Sequence, residues 1–297
     1  ILPLNRVSQY GRKLKINIGG LQGGHSGVDI GKNRMNATLL LARLLFDLRE
    51  LCHFALLDMR GGFKDNVIPR ESLAEIVIEP ETDKYRQISN DIDAIMDIYK
   101  KELRSSEPEL NYAVNDLGEG EFDVLDPESF EKLLFLLVQI PYGVQVMSSD
   151  IEGLVESSLN LGILRLENDQ AVVCSSVRSS KSSYKKYIRD RLEYLVSFLG
   201  GSFTVRSEYP AWEFSKESKL REHLQKHYKQ MYGKEMKVEA IHAGLECGLI
   251  AEKMPGLDIV SIGPDMYRVH TIDEKLSISS AIRVYKFLER VIEDKIR

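Results

Sequence analysis

The apolar periodicity of this chain changes character near Tyr209-Pro210-Ala211-Trp212. Before that point, runs alternating apolar and polar residues lie close together and are followed by long amphipathic stretches. After it, helix-period and strand-period segments take turns. Adjacent strands predict an antiparallel α+β layer, whereas strict alternation predicts α/β units with parallel strands. The 297 residues are enough for about two domains, and the pattern sets a boundary between residues 208 and 209.

The first part opens with the alternating run KLKINIG (13–19), a half-buried strand pattern, and continues into the glycine-rich loop GGLQGGHSG. A helix is expected over Asn36–Leu48, strands over Phe54–Met59 and Leu73–Ile78, and a polar helix over about 83–104. Glu107–Glu121, rich in Pro, Asn and Gly, reads as a loop with at most one short strand. Asp126 followed by Pro127 is a helix start, because proline at the first helical position has no N–H to leave unbonded. Val155–Leu166 and Gln170–Val177 read as a hairpin around Asn168-Asp169. A helix over 181–199 and a short strand over 203–206 close this part. Strand–turn–strand–helix thus occurs twice, at about 54–100 and 155–199, although the two sequences barely match. In the second part the spacing predicts helices at 216–232, 245–253 and 276–293, with strands at 236–241 and 257–261.

Composition narrows the function classes. The balance of 40 basic against 45 acidic residues gives a net charge of −5, without the basic excess that nucleic-acid binding shows. No apolar run approaches the roughly 18–20 residues of a membrane span. Three widely spaced cysteines, Cys52, Cys174 and Cys247, fit a reduced, cytoplasmic setting better than a disulfide scaffold.

Three motifs fail on spacing. Gly27-Val28-Asp29-Ile30-Gly31-Lys32 is one residue short of a phosphate loop and is followed by Asn33. No GxSxG nucleophile elbow exists. His223 and His227 stand at a metal-chelating i, i+4 spacing, but Leu224 occupies the place of a general-base glutamate, so the pair reads as a solvated helix face.

Four loop segments survive: GGHSG (23–27), DNVIP (65–69), HAGLECG (242–248), and SIGP (261–264) leading to His270 and Asp273-Glu274. Glycines beside a histidine let the backbone approach a ligand closely, and a histidine following a strand in an α/β unit sits where ligands and metals bind. Taken singly, each signal is weak, and a lone histidine such as His270 more often has a structural role.

In this order, together with GLQGGHSGVDIGKNRMNA (20–37), GGFKDNVIPRE (61–71) and VESSLNLG (155–162), they make the chain resemble the dinuclear zinc peptidases. That family includes carboxypeptidase G, succinyl-diaminopimelate desuccinylase and the carnosinases. The similarity is greatest to its aminoacyl-histidine (Xaa-His) dipeptidase branch. The resemblance implies an α/β catalytic domain carrying two zinc ions and an inserted α+β lid that mediates homodimerisation. Residues 1–10 would be a linker, 11–208 the lid, and 209–297 the C-terminal portion of the catalytic domain.

The resemblance also assigns roles. His270 matches a zinc ligand. His25 matches a lid histidine that stabilises the tetrahedral oxyanion of a neighbouring active site across the dimer. Asn66 and Gly244 line the substrate site. Arg178 grips the substrate's terminal carboxylate through planar bidentate pairing, and Glu246 meets its amino group. Ser158 and Asn160 are weaker candidates. For Arg178 the alternative is a surface arginine at a strand end, and for Glu246 a helix-start carboxylate. The implied activity is zinc-dependent hydrolysis of short peptides such as β-alanyl-histidine, with a non-catalytic dimerisation or regulatory module, or a related zinc amidohydrolase, as alternatives.

The sequence departs from the family in one respect. None of its six histidines is followed two residues later by Asp, and it contains no adjacent Glu-Glu pair. The family uses these motifs to hold zinc and to supply the general base. The expectation is that the N-terminal part of the catalytic domain lies outside this chain, and that the chain alone is inactive.

Overall fold

The structure is a computed structural model, and it describes residues 1–239, 246–268 and 273–294. The chain divides into two compact units, Ile1–Glu208 and Tyr209–Arg297.

The first unit runs β1 (Leu2–Pro3), β2 (Arg6–Gly19), β3 (Gly24–His25), α1 (Ala37–Leu48), β4 (Ala55–Gly61), β5 (Val67–Ile68), β6 (Ser72–Ile78), α2 (Thr82–Leu103), β7 (Asn111–Leu125), α3 (Pro127–Gln139), β8 (Gly143–Met147), β9 (Val155–Glu167), β10 (Gln170–Ser179) and α4 (Ser182–Phe198). Eight strands form one antiparallel sheet in the order β1-β10-β9-β4-β6-β2-β7, with β8 also pairing with β9. The short strands β3 and β5 pair separately. This is a mixed α and β architecture built on a large antiparallel sheet.

Local chemistry explains the elements. The Asn36 side chain caps α1 by accepting from the Thr38 and Leu39 amides, satisfying donors that have no partner inside the helix. Its amide also donates to the Leu161 carbonyl at 2.7 Å, which ties the helix start to β9. Asp126 caps α3 by accepting from the Ser129 amide at 2.7 Å. Asn168 and Asp169 both take positive φ, 50° and 57°, the conformation of a two-residue turn whose twist matches a hairpin. The core lies between sheet and helices. Leu14, Ile16 and Ile18 alternate inward from β2 and meet Leu40, Leu41, Leu44, Leu45 and Leu48 of α1.

The expected loop at 107–121 is instead mostly strand. β7 covers fifteen residues, pairing with β2 from Arg6↔Leu125 to Gly19↔Asn111. As the last strand of the sheet it faces water, so its polar residues need no inward alternation, and the register shift near Arg12 further blurs the period. The expected strand at 203–206 does not form. The two echoing segments place β4 beside β9, with β6 and β10 on their outer sides and a helix after each pair.

The second unit contains α5 (Lys219–Tyr232), α6 (Glu246–Lys253), β11 (Met266–Tyr267), β12 (Lys275–Leu276) and α7 (Ile278–Glu293). Its small core joins Leu224 of α5 to Phe287 and Val291 of α7. Ser218 caps α5 and donates to Asp258 at 2.6 Å. Two sequence expectations fail here. Residues 236–239 and 257–261 are not strands among the described residues, and the one strand pair, β11–β12, is antiparallel. A parallel strand needs neighbours on its edges to hold its backbone groups, and the described residues of this unit provide none. No helix among the described residues is long and apolar enough to cross a membrane.

Candidate functional site

Of the residues singled out in the sequence, His25, Asn66 and Arg178 come together on the first unit. His25 ends β3, and its register partner is Val67 of β5, next to Asn66. The Ser26 amide donates to the Asn66 carbonyl at 2.9 Å. The Arg178 Nε donates to Ser26 Oγ at 3.4 Å, which brings the β10 strand end to the same place. A satellite apolar cluster of Ile30, Ile68 and Val155 pins the His25 loop and the 61–70 turn onto β9.

Close backbone approach fixes the turn. At Gly62, φ is +73°, and a Cβ would lie 1.9 Å from the Gly162 carbonyl oxygen. At Gly162 a Cβ would lie 2.4 Å from the Asp65 carbonyl oxygen. Neither position admits a side chain. Asn160, buried on β9, donates through Nδ2 to the carbonyls of Asp65 and Val67, each at 2.9 Å. Asn160 therefore holds the turn from beneath, and this explains its burial. Ser158, also buried, pairs across the hairpin with Arg178.

The His25 loop is braced from inside. Asp29 accepts from the His25 amide at 2.9 Å and pairs with Lys32 and Arg34. Burial alone would raise the Asp29 pKa, but Lys32, the His25 amide and Arg34 outweigh it and hold it below the ordinary carboxylate value. The Gly27 and Val28 amides point at His25 Nδ1, at 3.2 and 3.3 Å. Nδ1 is thus the acceptor, and in the neutral ring the N–H sits on Nε2. Glu107 clamps both ends of the loop, accepting from the Gln22 and Met35 amides at 2.7 and 2.8 Å. Sequence reading missed Glu107, because a lone glutamate in a polar stretch gives no signal of burial.

Arg178 is half-buried, and no described carboxylate lies within ion-pair reach of it. Burial holds its guanidinium below the ordinary value, with the more distant Asp65 charge pulling the other way. A desolvated guanidinium with its fork unoccupied is a receptor for a planar anion.

Glu246 is exposed in the first turn of α6, on the second unit, where a carboxylate also complements the helix dipole. Gly244 and His270 lie outside the described residues. His227 overturns one expectation. It is 1% exposed rather than on a solvated face, because α5 turns it toward the C-terminal end of α7, where its Nε2 lies 3.0 Å from Asp294 Oδ2.

A model of the peptidase family M20/M25/M40 matches residues 13–294, and the chain belongs to that family. The cytosol non-specific dipeptidase of Escherichia coli K12 is 31% identical over 281 residues, covering 94% of this chain and 57% of that protein. The crystal structure of an aminoacylhistidine dipeptidase from Vibrio alginolyticus superposes with a TM-score of 0.90 at 26% identity, covering 99% of this chain and 60% of that one. This chain therefore spans somewhat more than half the length of both relatives.

Zinc is general to this family. Catalytic zinc takes about three protein ligands per ion. Among the described residues one group of three potential ligands exists, His223, His227 and Asp294. The described residues therefore do not fit a two-zinc centre.

Proposed function

We propose that this chain carries the carboxylate-binding and oxyanion-binding side of a cytoplasmic dipeptidase site, and that its substrates are Xaa-His dipeptides such as β-alanyl-histidine. The observation that carries this reading is the half-buried, unpaired Arg178 fork beside the His25 loop and the Asn66 turn. Arg178 receives the substrate's terminal carboxylate. The His25 Nε2–H and the Asn66 amide donate to the oxygen of the scissile carbonyl as negative charge develops there. The family resemblance assigns Glu246 to the substrate's amino group and Gly244 to the substrate-binding loop. His270 is a zinc ligand of the assembled two-zinc site. The chain pairs as a homodimer through its first unit, with His25 serving the partner's site. The length of the edge strand β7 and the M20 membership support this arrangement, and the cytosolic relative supports the location.

Calorimetric titration tests the reading. β-Alanyl-histidine should bind, and its C-terminal amide should bind about tenfold or more weakly, since a charge-assisted bond is worth about 1.5–3 kcal/mol. Arg178→Gln should erase that difference. Equal affinity for acid and amide in the unaltered protein would refute the assignment. With zinc added, the 297-residue chain alone should show no turnover, because it holds neither the His-x-Asp nor the Glu-Glu motif. Detectable hydrolysis would overturn that part.

A further inference from the structure

We propose that His223, His227 and Asp294 form a binding site for Zn²⁺, or a divalent cation of similar preference, that staples α5 to the end of α7. Its donor set shares no residue with the two-zinc centre implied for the family, which draws on His270, and it does not depend on the dipeptidase reading.

The donor set is suitable. Two imidazoles and a carboxylate are borderline ligands that suit zinc. Spacing of four residues stacks His223 and His227 on one helix face, with ring centroids 4.5 Å apart. Asp294 arrives from the C-terminal end of α7, and one donor atom from each residue falls within 4.8 Å of the others.

Geometry makes the closure small. Bonds of about 2.0–2.1 Å to nitrogen and about 2.0–2.2 Å to oxygen place the donors of a tetrahedral ion roughly 3.3 Å apart. The His227 Nε2 and Asp294 Oδ2 already stand at 3.0 Å. Among the described residues the His223 Nε2 bonds only to the Val291 carbonyl, at 3.3 Å, so rotation of a half-buried side chain completes the triad. Lys226 Nζ reaches Asp294 at 3.8 Å from an exposed position and can swing into water when an ion displaces it. Three protein ligands leave a fourth position for water, and the exposure of Asp294 opens that side to solvent.

A second observation separates this cluster from an ordinary structural histidine. His227 is 1% exposed, and its Nδ1 is buried with no hydrogen-bond partner among the described residues. Burying a polar atom unpaired is costly, and an apolar residue would fill the place without that cost. An ion held at Nε2 leaves the ring proton on Nδ1, still unpaired; what it adds is a strong bond for a buried imidazole that otherwise meets only Asp294 among the described polar groups.

The test is Zn²⁺ titration of chelator-treated full chain by calorimetry. The variants are His223→Gln, Asp294→Asn and His270→Gln, the first two chosen because one side chain is half-buried and the other exposed. The unaltered chain should bind zinc, and His223→Gln and Asp294→Asn should each weaken that event at least about tenfold. The event should survive His270→Gln. Absence of zinc binding would overturn the proposal. So would binding that is indifferent to His223→Gln and Asp294→Asn, or binding that His270→Gln alone abolishes.

Discussion

Glu107 offers the clearest quantitative test of how the His25 loop is held. Its side chain is 2% exposed, and its two carboxylate oxygens accept from the Gln22 and Met35 amides at 2.7 and 2.8 Å. Those amides bracket the segment that carries His25. Glu107→Ala removes both charge-assisted bonds and leaves two N–H groups unpaired, at about 1.5–3 kcal/mol each. The expected loss is about 3–6 kcal/mol, a large share of a domain's stability of roughly 5–15 kcal/mol. Glu107→Gln keeps one acceptor oxygen and turns an NH₂ toward the other amide, so it should cost roughly half as much. Urea denaturation reads the stability, and hydrogen exchange at Gln22 and Met35 reads the loop. The variant should lose stability and also lose protection at those two amides. A loss below about 1 kcal/mol with protection unchanged would refute the clamp.

Gly62→Ala should cost about 2 kcal/mol or more and lower the thermal midpoint, since φ is +73° and a Cβ would meet the Gly162 carbonyl; an unchanged midpoint would count against the close approach. Asp29, its pKa held below the ordinary value in the fold, contributes stability above the unfolded carboxylate range. That stability disappears as pH falls through the folded pKa. Asp29→Asn should therefore destabilise at pH 7 and have little effect in strong acid, and a pH-independent difference would contradict the linkage. Cys52, its thiol pushed up to about 11 by burial, should resist alkylation at pH 8, and rapid labelling there would contradict that burial.

The sequence made the first unit largely legible because its elements announce themselves locally. Asp126-Pro127 starts a helix, Asn168-Asp169 makes a hairpin, and KLKINIG alternates because one face of β2 is buried. β7 escaped notice because an edge strand carries polar residues on both faces, and period-2 patterning reflects burial rather than strandedness. Residues 236–239 and 257–261 had the right residue types for the strands expected there, but strand formation depends on neighbours that a local pattern does not specify. The site followed the same division. GGHSG and DNVIP were legible as glycine-bounded loops, and Arg178 as a basic residue ending an apolar strand. Glu107, and the burial of His227, depend on packing between segments far apart in the chain, and no local spacing reports that.

The most direct measurement is a crystal structure of this chain soaked with β-alanyl-histidine. The dipeptide's carboxylate should lie against Arg178, with both oxygens about 2.7–2.9 Å from guanidinium nitrogens, and the His25 loop should be close by. A dipeptide bound with its carboxylate elsewhere, leaving Arg178 untouched, would contradict the assignment of this face as the carboxylate-receiving side of a dipeptidase site.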